Sequence, residues 1–176
     1  MLINDDLTLR PFRQDDREVL AKLADNFNVS KYLTERFPYP YALTDADCWI
    51  AKVGSEDVPH NFAIDWRDQL VGGIGLAPLD DVYRRTAEIG YWLGEPYWGK
   101  GLATKAVAMM LGYTFARLQF IRLQAAVFAE NKNSARVLEK NNFILEAVLR
   151  QHITKNGRTQ DAMLYSRLAC GAENAP

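Results

Sequence analysis

The run Trp98-Gly99-Lys100-Gly101-Leu102-Ala103-Thr104 sets two glycines and a lysine where a strand-like pattern gives way to a helical one. The first amides of a helix lack internal acceptors and point outward, and the helix dipole adds to their pull on an anion. Gly99 and Gly101 leave room for a phosphate to approach the backbone, Ala103 keeps the first turn thin, and Lys100 adds a cation. That combination suits a pyrophosphate. A glycine-rich turn that merely reverses the chain would use the same residues, so the loop alone specifies no more than an anion site. The GxGxxG fingerprint fails because Thr104 holds its third position, and the P-loop spacing with Lys-Ser/Thr is absent.

A second candidate segment follows about thirty residues later, Asn131-Lys132-Asn133-Ser134, opening a short helix with Val137 and Leu138 inward. Asn131 can hydrogen-bond an amide-rich ligand; Ser134 can cap the helix or face that ligand. Two residues could move protons. Glu88 lies on the strand leading into the glycine loop, as a base or as a partner of Arg84 or Arg85. His152 lies in a late strand, as a base or as an exposed or structural histidine.

These residues need a scaffold, and the pattern supplies one. Leu7 to Phe12 reads as a strand closed at Pro11, and Gln14 to Asn26 as a helix with Val19, Leu20, Leu23 and Phe27 inward. The aromatic, proline-punctuated stretch from Tyr32 to Tyr41 reads as a loop, either walling an acceptor groove or folded on the core. A helix capped around Thr44 to Asp47 runs to about Val53. Asn61 to Trp66 and Leu70 to Leu76 form a hairpin through Arg67-Asp68-Gln69, and Thr86 to Leu93 forms a further strand. The longest helix spans Gly101 to Leu118, with Leu102, Val107, Met110 and Leu111 on its apolar side. A strand over Ile121 to Phe128 and a helix over Asn133 to Asn141 precede a last antiparallel pair, Phe143 to Ile153 with Thr159 to Leu168, turned at Lys155-Asn156-Gly157. The reading is a single α+β domain over residues 1–170, with a flexible tail over 171–176.

Composition narrows the functional classes. The chain has 176 residues, enough for one well-filled core, and its 21 basic and 22 acidic residues nearly cancel. That balance argues against a nucleic-acid partner. Cys48 and Cys170 fit neither a metal pattern nor a disulfide framework, so two free thiols and no metal are expected. The absence of an apolar run of about 18 residues argues against a membrane span, and with no secretory pattern visible the protein is expected in the cytoplasm.

The glycine loop resembles the cofactor motif of the GNAT superfamily of N-acetyltransferases, Gln/Arg-x-x-Gly-x-Gly/Ala. Gly101 and Ala103 stand at its last two anchors and Trp98 at the first. Trp98, with the preceding Glu-Ile-Gly-Tyr-Trp-Leu, looks like the RimJ/RimL branch. Asn131, Ser134, Glu139, Lys140 and Phe143 match the second motif in order, with Asn142 in place of its glycine. The resemblance extends from the opening Leu-Thr-Leu-Arg-Pro-Phe to Tyr165-Ser166-Arg167-Leu168.

This resemblance implies a mixed, mostly antiparallel central sheet flanked by helices. It also implies acetyl-CoA as co-substrate, its pyrophosphate on the backbone from Trp98 to Thr104 and its pantetheine arm along Tyr91, Trp92 and Leu93 and on Asn131. A backbone amide of that strand would polarise the thioester carbonyl, and Ser134 would protonate the leaving thiolate. The family's catalytic Glu in the late strand is replaced by Ile153, which leaves Glu88, the neighbouring His152 or solvent as base. The implied acceptor is a primary amine, on a protein N-terminus such as a ribosomal protein's or on a small molecule. A non-catalytic acyl-CoA sensor is the other reading, and unpaired strands allow a homodimer.

Overall fold

The computed structural model of the chain describes residues 1–170; the tail expected over 171–176 lies outside the described residues. Two short strands open the chain, β1 (Leu2–Asn4) and β2 (Leu7–Arg10). Three helices follow, α1 (Arg17–Ala24), α2 (Phe27–Ser30) and α3 (Leu43–Gly54). Then come β3 (Asn61–Trp66), β4 (Gln69–Pro78), β5 (Thr86–Leu93) and α4 (Leu102–Gly112). The last elements are β6 (Arg122–Phe128), α5 (Lys132–Lys140), β7 (Ile144–Lys155) and β8 (Arg158–Leu168). The strands hydrogen-bond in the order β1-β2-β3-β4-β5-β6-β8-β7. Recorded strand pairs are antiparallel except β5 with β6, so the sheet is mixed and mostly antiparallel as expected.

The residues fall into two compact units interleaved in sequence, 1–75 with 91–106 and 76–90 with 107 onward. In the first, Phe12, Leu20, Ala21, Ala24, Tyr41, Ala46, Ile50, Ala63 and Leu70 form a continuous buried cluster, with Phe37, Trp49 and Trp92 packed against it. The aromatic stretch from Tyr32 to Tyr41 is a loop, and Phe37 reaches the rings of both Tyr41 and Trp92. In the second, Val107, Met110, Leu123, Leu138, Ala162 and Tyr165 are buried.

Several local expectations need correction. The segment from Gln14 begins as a 3-10 turn because Asp16 is already committed: its carboxylate takes the Arg13 amide at 2.7 Å and both terminal nitrogens of Arg10. The following helix buries Leu20, Ala21 and Ala24, while Val19 and Phe27 face solvent. Phe27 lies beyond a break at Asp25, in α2, which Asn26 caps by accepting the Asn28 amide at 2.8 Å. The long helix also changes pitch: Tyr113–Arg117 is a π-helical turn in which the buried Thr114 hydroxyl donates to the Met110 carbonyl at 2.7 Å. That side chain competes for a carbonyl the helix ladder would otherwise use.

The two hairpins expected from the sequence close on two-residue turns of the left-handed kind that suits strand twist. Asn156 and Gly157 turn β7 into β8 with φ of 50° and 74°, between Lys155 and Arg158. Arg67 and Asp68 turn β3 into β4 with φ of 54° and 62°, and Gln69 already pairs with Trp66.

Candidate active site

The loop after β5 has the form its sequence suggested. Gly99 and Gly101 have φ of 74° and 77°, and a Cβ at either would meet no atom within 4 Å. The glycines are therefore required by backbone conformation, and the space beside them is open. The first bond of α4 runs from the Lys105 amide to the Gly101 carbonyl at 3.1 Å. The amides of Leu102 and Ala103 precede that first bond, so the helix ladder does not use them. Open space, left-handed glycines and helix-start amides together fit a diphosphate.

Trp98 and Lys100 both bond to backbone carbonyls of the chain itself. Trp98, 41% exposed, donates its indole N–H to the Leu93 carbonyl at 2.8 Å and so ties the loop to the end of β5. Lys100 donates to the Pro96 carbonyl at 2.9 Å, and its ammonium lies 5.3 Å from the Trp66 ring centroid and 5.4 Å from that of Tyr97. The Lys100 ammonium thus lies against a backbone carbonyl and two aromatic faces.

Tyr91, Trp92 and Leu93 end β5. Their placement depends on glycines in β4: a Cβ on Gly72 would collide with the Trp92 carbonyl, and one on Gly73 would lie 2.9 Å from the Trp92 indole nitrogen. The Gly94 amide donates to the Val71 carbonyl at 2.9 Å, holding the strand's exit. Glu95, just beyond, accepts from Asn26 at 2.7 Å and from Asn28 at 3.1 Å.

Glu88 faces solvent and accepts a bond from Gln124 at 3.3 Å. Glu88 and Gln124 are register partners at the end of the parallel β5–β6 pairing, which brings them together; nothing in the sequence pattern singled Gln124 out. Asn131 is the N-cap of α5, its side-chain oxygen accepting the Ser134 amide at 3.2 Å. The capping role considered for Ser134 therefore belongs to Asn131, and Ser134 occupies the third helical position, partly buried. At the other end of α5, Asn142 takes φ of 58°, the left-handed stop that its replacement of glycine implied. His152 is exposed in β7, inside an irregularity between Leu149 and Ile153 that also gives Gln151 a φ of 49°. Among the described residues no group of three or more His, Cys, Asp or Glu side chains could hold a metal, and Cys48 and Cys170 are free.

Solved structures with this fold define the class. RimJ of Mycobacterium smegmatis, in complex with CoA-disulfide, matches with a TM-score of 0.83 at 26% identity, over 93% of this chain and 82% of that one. The spermidine N-acetyltransferase of Vibrio cholerae, in complex with CoA and spermine, matches with a TM-score of 0.81 at 25% identity, over 97% and 100%. The fold is that of acetyltransferases. Residues 6–144 match the Acetyltransferase (GNAT) domain family, and the chain belongs to it. The uncharacterized N-acetyltransferase p20 of Bacillus licheniformis is 32% identical over 170 residues, 95% of each chain.

Proposed function

We propose that the chain acetylates a primary amine, a polyamine-like small molecule or a protein N-terminus, using acetyl-CoA. The observation that carries this reading is the pair of left-handed glycines, Gly99 and Gly101, bordered by open space at the start of α4. Bound there, acetyl-CoA supplies the activated acetyl thioester. The backbone from Trp98 to Thr104 holds its pyrophosphate, and Tyr91, Trp92, Leu93 and Asn131 hold its amide-bearing arm. A backbone amide near Tyr91 to Leu93 donates to the carbonyl oxygen. The Ser134 hydroxyl gives a proton to the departing sulfur, and Glu88 or His152 takes one from the amine nitrogen. The choice of acceptor follows the names of two similar proteins, the spermidine N-acetyltransferase of Vibrio cholerae and a ribosomal-protein-serine acetyltransferase of Escherichia coli.

The reaction belongs in the cytoplasm, where acetyl-CoA is made, and the outer strands β1 and β7 leave sheet edges at which a homodimer could form. Thiol release with acetyl-CoA over a panel of polyamines, N-terminal peptides and small amines tests the activity. Turnover on at least one acceptor is expected. CoA binding with no turnover on any would make the chain a non-catalytic acyl-CoA sensor.

A further inference from the structure

The turn between β3 and β4 carries an arginine where a left-handed backbone favours Asn or Gly. Arg67 has φ of 54°, a conformation a long side chain adopts at a cost. Its guanidinium carbon stands 4.6 Å from the centroid of the Trp66 ring, and the Lys100 ammonium lies 5.3 Å from the same centroid. Tyr97 meets Trp66 edge-on at 6.3 Å, so the two cations are gathered on an aromatic pair. A third cation joins them from α4: Lys105 Nζ and Arg67 Nε each lie 3.4 Å from the Asp6 carboxylate. Both contacts are long for charge-assisted hydrogen bonds. Asp6 spends its shortest bond, 2.7 Å, on the Trp66 indole. Asp68, the other turn residue, lines a cleft with Arg10 and Asp65. Asp6 thus faces two of the three cations, Arg67 and Lys105, which remain 69% and 43% exposed at their side chains.

This cluster adjoins the phosphate loop in the chain itself, because Lys100 lies between Gly99 and Gly101 and Lys105 donates to Gly101. A pyrophosphate there neutralises the helix-start amides and leaves the cluster's charge unmatched. We propose that Arg67, Lys105 and the Trp66-supported Lys100 form a subsite for the 3′-phosphate on the ribose of CoA, selecting CoA over its 3′-dephospho form. The inference rests on the acetyl-CoA reading of the loop. A phosphomonoester dianion matches an excess of cations on exposed side chains, and a ribose joined to the pyrophosphate by one ester bond is short enough to stay within their reach.

Titration calorimetry of the full chain with CoA and with 3′-dephospho-CoA tests this. The wild type should bind CoA about tenfold more tightly than the dephospho form, the scale of one charged hydrogen bond. Arg67→Asn with Lys105→Gln should bring the ratio near one and leave dephospho-CoA affinity unchanged. Asn suits the left-handed turn better than Arg, so this pair does not put the hairpin at risk. Equal affinities in the wild type, a ratio that survives the double substitution, or an equal loss toward both ligands would each overturn the subsite. If neither ligand binds the wild type, the acetyl-CoA reading fails with it.

Discussion

The Trp98 indole donates to the Leu93 carbonyl at 2.8 Å, fastening the glycine loop to the last residue of β5. A residue at the family's first anchor position thus acts on the loop's own backbone. Two further bonds, Tyr97 amide to Gly94 at 3.0 Å and Trp98 amide to Glu95 at 3.2 Å, define the same turn. Trp98→Phe keeps an aromatic ring and removes the donor, at a cost of about 1 kcal/mol in loop order. Affinity for CoA should fall about fivefold in a calorimetric titration. Unchanged affinity would mean that the backbone bonds alone set the loop.

Asn131 and Ser134 separate by role. Asn131→Ala removes the N-cap of α5 and should lower stability by about 1 kcal/mol, read from the urea midpoint. Ser134→Ala leaves that cap's acceptor in place, because Asn131 bonds the Ser134 backbone amide. If the hydroxyl protonates the leaving sulfur, kcat should fall about a hundredfold with little change in CoA affinity. A loss of affinity with kcat preserved would remove Ser134 from the chemistry.

What the sequence reveals follows from how local each feature is. The β5 strand from Thr86 to Leu93, the glycine loop and the start of α4 are successive in the chain, and periodicity with turn chemistry located all three. Asn142 at the end of α5 was legible for the same reason, since a left-handed stop needs only its own residue. Long-range pairs were not. Gln124 meets Glu88 only because β6 lies parallel to β5, and Lys100 turns to Trp66 only because the β3–β4 hairpin ends beside it. Val19 and Phe27 fitted a helical stripe, yet Ala21 and Ala24 join Leu20 on the buried face in their stead, because Asp16 and Asn26 fix where the helical segments begin.

Arg10 is buried with two carboxylates, Asp16 and Asp65. Its Nε donates to Asp65 at 2.7 Å, and its two terminal nitrogens take Asp16 in a fork at 2.8 Å each. Bonding to Asp16 holds the guanidinium proton affinity far above its ordinary value, with Asp65 adding to the effect against the cost of burial. Truncation leaves two buried carboxylates uncompensated, so Arg10→Ala should cost about 3 to 5 kcal/mol in chemical denaturation. Arg10→Lys should recover only part of this, because an ammonium cannot reproduce the fork. Full recovery would show that charge alone, without geometry, holds the site.

The acid limb of stability should report on Glu146. Arg122 grips its carboxylate from β6 with bonds of 2.8 and 2.5 Å, and the Ser166 hydroxyl on the intervening β8 adds another at 2.5 Å. Arg122 first, then Ser166, pulls the carboxyl from its ordinary 4.5 down to about 2, against a smaller effect of burial. A depressed folded value means the unfolded chain binds the proton more readily as pH falls. The stabilisation is therefore complete above the ordinary value, declines between 4.5 and about 2, and is gone below. Because the carboxylate is 39% exposed, solvent screening keeps the contribution modest. Urea midpoints taken from pH 6 down to pH 3 should fall less steeply for Glu146→Gln than for the wild type. The variant should start lower at pH 6, since a neutral amide cannot hold the guanidinium as tightly. Parallel acid limbs for the two proteins would show that other carboxylates carry this dependence.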